Sequence, residues 1–285
     1  MKINHISPDD NQFLQIISPI SLMPKRLYYI GTLPERRVPT IAIVGTRKPT
    51  PYGKEVTTRL ASELASKGVI IVSGMALGID AIAHRAALDV GGTTIAVQAN
   101  GLDKLTPSTN RQIGEDILSS GGAIISEYEP GEPPFAPRFL ERNRIVSGLS
   151  DGVLITEAAA RSGTLNTASH AIEQGKEVFV VPGNITSPLS AGCNALLKQG
   201  AIPVTSVEDI LQVIAPQLLQ SQTQLALGDN ALQTKIIQLL QDGVRDGDEL
   251  QTLSESDAGQ FATELTMMEI NGLIRSLGAN QWTLR

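Results

Sequence analysis

Between residues 138 and 150 the chain reads Arg-Phe-Leu-Glu-Arg-Asn-Arg-Ile-Val-Ser-Gly-Leu-Ser. Arg138, Arg142, Asn143 and Arg144 thus sit just ahead of the apolar run Val153-Leu154-Ile155. A guanidinium is a planar fork of donors suited to phosphate oxygens. With 23 Lys and Arg against 29 Asp and Glu, the chain carries a net charge of −6, so this cluster opposes its background. A solvated helix face is the simpler account. The adjoining strand end favours a ligand, because open α/β sheets bind ligands at the carboxyl ends of their strands.

Three polar turns follow apolar runs and can meet at such an edge. Gly45-Thr46-Arg47-Lys48 combines a residue free to turn sharply with Thr46, Arg47 and backbone N–H groups that can grip an anion. Glycine there also serves geometry alone, so this turn is weak by itself. Ser73-Gly74-Met75-Ala76-Leu77-Gly78-Ile79-Asp80 enters a helix whose N-terminus favours negative charge. In the third turn, Glu157 to Thr164, Ser162 or Thr164 can cap the next helix around Gly163, leaving N–H groups for a phosphate. Capping alone also explains it; the weight lies in the three together. Neither G-x-G-x-x-G nor G-x-x-x-x-G-K-[ST] is present.

Phe139, Phe135 and Tyr52 are candidate stacking platforms for bases beside these cations. Core packing competes equally for Phe139 and more strongly for Phe135. Asp80 and His84 stand four apart and read as a buried structural pair rather than a metal or acid–base site. With histidines only at 5, 84 and 170, no nucleophile elbow and no C-x-x-C spacing, no catalytic set emerges. Cys193 reads as a packed residue. Binding without turnover, cofactor or metal is expected.

The elements that must hold these turns alternate. Apolar runs at 41–44, 69–72, 94–97, 123–126, 153–156 and 178–181 predict strands. Helical spacing predicts helices at 53–67, 79–88, 108–118, 140–149 and 164–174, the first capped by Thr50 with Pro51 at its start. The strands are apolar throughout rather than alternating, so both faces are buried, as in a parallel sheet covered by helices. The fold expected over residues 39–216 is a Rossmann-like, doubly wound, mostly parallel α/β sheet. Aromatics are only 4% of the chain, so its core is aliphatic. One cysteine excludes an intrachain disulfide and fits a reducing compartment. No run has the length of a membrane span, and the N-terminus lacks a signal-peptide core, so a cytoplasmic protein is expected.

Residues 1–38 read as a segment without its own domain, and glutamine-rich 217–229 as a linker. Beyond it, helices expected at 232–241, 248–252 and 262–277 and a short terminal strand make a winged-helix domain over 230–285. It carries four basic and eight acidic residues, net −4, which repels phosphate. A protein partner suits it better than duplex DNA, although a winged helix usually reads duplex.

Taken in order, Ile41–Gly53, Ser73–His84, Arg142–Ser150, Glu157–Thr164, Val181-Pro182-Gly183 and Gly192-Cys193-Asn194 resemble the motifs of the DprA/Smf family of DNA-processing proteins. The resemblance runs from Arg26 to the C-terminus. It implies a dimer that binds single-stranded DNA and loads RecA for recombination in natural transformation. It also implies a DNA pocket at Gly45, Thr46, Arg47, Ser73, Gly74, Arg142, Asn143, Arg144, Ser162, Gly163 and Thr164, with Phe139 as aromatic neighbour. Departures are Asn166 at a usually apolar place, Asn100 in a usually glycine-rich turn, Thr106 for Tyr, and Leu140 for Pro. The N-terminal segment is shorter than the helical domain many relatives carry. Two other classes stay open: a Rossmann-like enzyme or sensor for a nucleotide derivative, and a transcription regulator. The first typically shows Pro-Gly-Gly-x-Gly-Thr with a downstream Glu, whereas Glu157 here lies upstream; the tail's acidity speaks against the second.

Overall fold

The computed structural model describes residues 2–220 and 230–284. These fall into two compact units, Met1–Pro216 and Gln217–Arg285. Within the first, seven strands run parallel: β3 (Thr40–Val44), β4 (Ile70–Ser73), β5 (Thr94–Gln98), β6 (Ala123–Ser126), β7 (Gly152–Ile155), β8 (Glu177–Val180) and β9 (Ile202–Pro203). Their order is β6-β5-β4-β3-β7-β8-β9. The order therefore reverses between β3 and β7, and a crevice at their carboxyl ends is the place such sheets offer a ligand.

The sheet begins before Pro39. β1 (Asn4–Ile6) and β2 (Leu27–Gly31) extend it antiparallel beyond β6. Phe13, Leu14, Ile17 and Ile20 of the same segment are buried in the main core. Residues 1–38 thus belong to the α/β unit, a correction to the boundary expected at 39.

Helices α1 (Pro51–Ser66), α2 (Ile79–Asp89), α3 (Arg111–Ser119), α4 (Ala136–Gly148), α5 (Gly163–Glu173), α6 (Ala191–Lys198) and α7 (Glu208–Ile214) join or follow the parallel strands. Both sheet faces are covered, as continuous apolarity required. Ala42 and Val44 of β3, Ile95 and Val97 of β5 and Val153 and Ile155 of β7 pack with Ile145 and Val146 of α4, Ala168 and Ala171 of α5 and Leu196 of α6. Ala96 and Ile124 belong to a separate core with Met75 and Ile117. Burying one Leu or Ile in such a core contributes about 1.5–3 kcal/mol.

Thr50 caps α1, accepting from Gly53 N at 3.1 Å, with Pro51 at the first position as expected. α4 starts earlier than residue 140, because Pro137 is fixed at a helical φ and its missing N–H costs nothing in a first turn.

The second unit holds α8 (Gln217–Gln220), α9 (Ala231–Gln241), α10 (Gly247–Ser254), α11 (Ala258–Ile270) and the antiparallel pair β10 (Ile274–Gly278) and β11 (Gln281–Leu284). Three helices and a hairpin surround Ile236, Ile237, Leu240, Leu250, Phe261, Leu265 and Met268, a winged-helix arrangement. The third helix ends at Ile270 rather than 277. Gly272, at φ 71°, takes the left-handed turn, and the Leu273 N–H reaches back to Met268 O. The expected linker begins as α8, and its residues 221–229 lie outside the described residues.

Candidate nucleic-acid interface

A cavity of about 300 Å³ opens at the β3–β7 switch point. Its walls include Gly45, Thr46 and Arg47 from the turn after β3, Asn143 and Phe139 from α4, and Arg161, Ser162, Gly163 and Thr164 where α5 begins. All three turns thus reach this cavity, the second through Ala76 and Asp80. Glu157 ties the first and third: its carbonyl accepts from Thr46 N at 2.8 Å, and its carboxylate takes Thr50 N at 2.9 Å and the Thr50 hydroxyl at 2.6 Å. Gly45 is required by close approach, since a Cβ there would lie 2.6 Å from Ile79 Cγ1.

Ser162, not Thr164, caps α5, accepting from Thr164 N at 3.2 Å. The positive end of the α5 dipole therefore adjoins the cavity. Arg47 and Arg161 are exposed and make no ion pair among the described residues. The Arg47 guanidinium lies 5.9 Å from the Phe139 ring centroid, a cation–π contact at the cavity wall. Arg161 belongs to the third turn but was absent from the expected site. Its signal was its place one residue before the helix cap.

The α4 arginines behave differently. Arg142 touches the cavity but is only 4% exposed. It donates to Gly74 O at 2.9 Å and to Val97 O, joining the carboxyl ends of β4 and β5. Asp80 is its electrostatic partner and accepts from Gly74 N at 3.0 Å. Burial raises the Asp80 pKa while Arg142 opposes the shift. Burial likewise pushes Arg142 down to about 10, so it stays charged at neutral pH. Gly74 makes room: a Cβ would sit 2.5 Å from Arg142 Nη2 and 2.8 Å from Asp80 Oδ2.

Three expected site residues do not line the cavity. Ser73 is fully buried and donates to Ile43 O at 2.6 Å. Gly74 is the spacer just described. Arg144 forms a two-pronged ion pair with Glu127, at 2.8 and 2.6 Å, and donates to Leu22 O at 2.8 Å. The outermost arginine of the cluster, Arg138, pairs with Glu132 and stacks over Tyr128 at 4.3 Å. Of the aromatic candidates, only Phe139 lines this cavity; Phe135 is 62% exposed at the start of α4, and Tyr52 lines a second cavity.

Asp80 and His84 are both buried, as expected, but face different partners. His84 Nδ1 lies 2.6 Å from Thr94 Oγ1, and burial first, then the Arg142 charge, pushes the ring down to about 3. Cys193 is buried, and that burial raises its thiol to about 11, leaving no thiolate for chemistry. Among the described residues, no group of three or more His, Cys, Asp or Glu could hold a metal ion. No helix among them is long and apolar enough to cross a membrane.

The model of the family DNA recombination-mediator protein A matches residues 4–215. The chain belongs to this family, the DprA/Smf proteins. It is 44% identical to protein Smf of Escherichia coli over 211 residues, 73% of this chain and 56% of that protein. It is 42% identical to the DNA processing protein DprA of Streptococcus pneumoniae over 195 residues, 68% of each. The solved structure of S. pneumoniae DprA superposes with a TM-score of 0.67 at 38% identity, covering 75% of each chain. That of Helicobacter pylori DprA, a study of its single-stranded DNA binding mode, gives 0.66 at 35%, covering 78% of this chain and 97% of that one. Two of the departures from the family pattern are accommodated locally. Asn166 accepts from Asn143 Nδ2 at 3.2 Å, a bond an apolar residue would not make. Leu140 lines the cavity beside Gly163.

Proposed function

We propose that this chain binds single-stranded DNA in the cavity between the carboxyl ends of β3 and β7. In this reading it acts as a recombination mediator, a homodimer that protects exposed single strands and helps place RecA on them, as in natural transformation. One observation carries the DNA reading: Arg47 and Arg161, both without an acidic partner, flank one cavity together with the start of α5. Two such cations and a helix N-terminus suit phosphodiesters, and Phe139 offers an apolar face to a base. The recombination role rests on the family to which the chain belongs.

A hydrolase of a nucleotide derivative would need a free carboxylate as general base. The carboxylate that lines the cavity, Asp80, is buried against Gly74 N and Arg142 instead. Filter binding with single-stranded DNA, duplex DNA and mononucleotides tests the proposal. Retention of single strands in preference to both others, weakening steeply with salt, is the expected result. Equal retention of duplex, or tighter binding of a mononucleotide, overturns it.

A further inference from the structure

Beside the first cavity lies a second, of about 510 Å³, lined by Thr50, Tyr52, Glu157, Pro182, Asn184 and Ser190 among others. Glu157 connects them: Thr46 of the first cavity and Thr50 of the second are both hydrogen-bonded to it. Tyr52 lies five positions after Arg47, a reach of at most about 18 Å. The chemistry of the two cavities differs. No Lys or Arg lines the second, and the Glu157 carboxylate does. A phosphate is disfavoured there, and an uncharged ring is not.

Two features point to such a ring. Tyr52 is 48% exposed, and its hydroxyl is tethered to Pro182 O at 3.0 Å, so the aromatic face is held before anything binds. Ser190 is only 5% exposed, yet its hydroxyl makes no hydrogen bond among the described residues and belongs to the cavity lining. Gly183 leaves the space for it, since a Cβ would lie 2.2 Å from Ser190 Oγ. That hydroxyl is not one of the fully buried unpaired polar atoms, so it is open to a ligand or to water.

We infer that the second cavity is a nucleobase subsite: a base of the strand whose phosphates lie at Arg47 and Arg161 stacks on Tyr52 and hydrogen-bonds Ser190. The inference rests on the single-strand reading above. Stacking on a tyrosine held in place loses little side-chain freedom, and base–aromatic stacking tolerates any sequence.

The test is fluorescence anisotropy of the full-length protein with a labelled twelve-residue oligothymidylate. Tyr52→Ala is expected to weaken binding about 5- to 150-fold, the range for losing one stacked base. Tyr52→Phe, which keeps the ring, is expected to stay within about threefold of wild type. In a Trp282→Phe background, Tyr52→Trp places the chain's one tryptophan at the subsite, and its emission is expected to be quenched at saturation. Wild-type affinity in a folded Tyr52→Ala, or no quenching at position 52, overturns the subsite. Arg47→Ala, measured alongside, separates the two ideas. Loss with Arg47→Ala and none with Tyr52→Ala removes only the subsite. Wild-type binding by both Arg47→Ala and Arg161→Ala removes the single-strand reading itself.

Discussion

Replacing Arg142 by methionine keeps most of its volume and removes its charge. The sequence placed Arg142 in the DNA site, whereas the structure gives it a different principal task. Its head is buried, donates to Gly74 O and Val97 O, and stands opposite buried Asp80. Arg142→Met strands that carboxylate without its counter-charge. Removing one partner of a buried pair costs about 3–5 kcal/mol. Against about 5–15 kcal/mol for a whole domain, this is a large fraction of the stability.

The loss carries a pH signature. The Asp80 pKa is already raised above its ordinary 3.8, and removing Arg142 takes away a lowering influence, so it rises further. A carboxyl whose folded pKa exceeds its unfolded one contributes stability below the unfolded value and loses it as pH climbs through the folded value. The defect should therefore be largest at neutral pH and shrink as pH falls toward 3.8. Urea unfolding followed by far-UV circular dichroism measures it in the full chain. Trp282, the only tryptophan, lies in the second unit and reports that unit separately. A lowered dichroism midpoint with an unchanged Trp282 transition is expected, and Asp80→Asn in the same chain should recover part of the loss. An Arg142→Met protein of wild-type stability that no longer binds DNA would refute this reasoning and return Arg142 to the contact set.

Three further outcomes follow from the same contacts. Arg47→Ala and Arg161→Ala should each weaken single-strand binding and flatten the salt slope by about 0.7, with unfolding midpoints unchanged; unaltered slopes would count against phosphate contact. Arg144→Ala should bind DNA within about twofold of wild type but lose about 1–3 kcal/mol as Glu127 loses its partner, read by the same urea titration. A chain ending at Gly228 should retain single-strand binding in a gel shift, because the removed residues 229–285 are net −5 and α11, the helix a winged helix would present to duplex DNA, holds no Lys or Arg; near-total loss from a folded truncation would contradict it.

The long parallel strands were legible because burial on both faces leaves continuous apolar runs such as Ile41–Val44 and Val153–Ile155. β1 and β9 were not, since three and two residues carry no period. The start of the unit was missed for the same reason: Phe13, Leu14 and Ile17 lie in a short, tight helical turn rather than a full amphipathic helix. In the site, the turns at Gly45 and Ser162 were legible from glycine and cap chemistry. Which arginines remain free was not, because it depends on carboxylates distant in sequence, Glu127 and Asp80 among them.

The fate of the arginine cluster follows from helix geometry. Successive α-helical residues are about 100° apart, so Arg142 and Arg144 leave α4 in nearly opposite directions. One runs into the sheet edge, and the other meets Glu127. Arg138 is one turn earlier, near the exposed start of α4, and folds back on Glu132 and Tyr128. Each of the three charges thereby has a partner within the protein, although Arg142 also touches the cavity. Arg47 and Arg161 instead stand on short turns and make no ion pair among the described residues. In the proposed reading, the charges offered to DNA and the charges that stabilise the fold are therefore different residues. Loss of affinity at α4 has meaning only after stability has been measured, whereas at Arg47 and Arg161 affinity and stability should move independently.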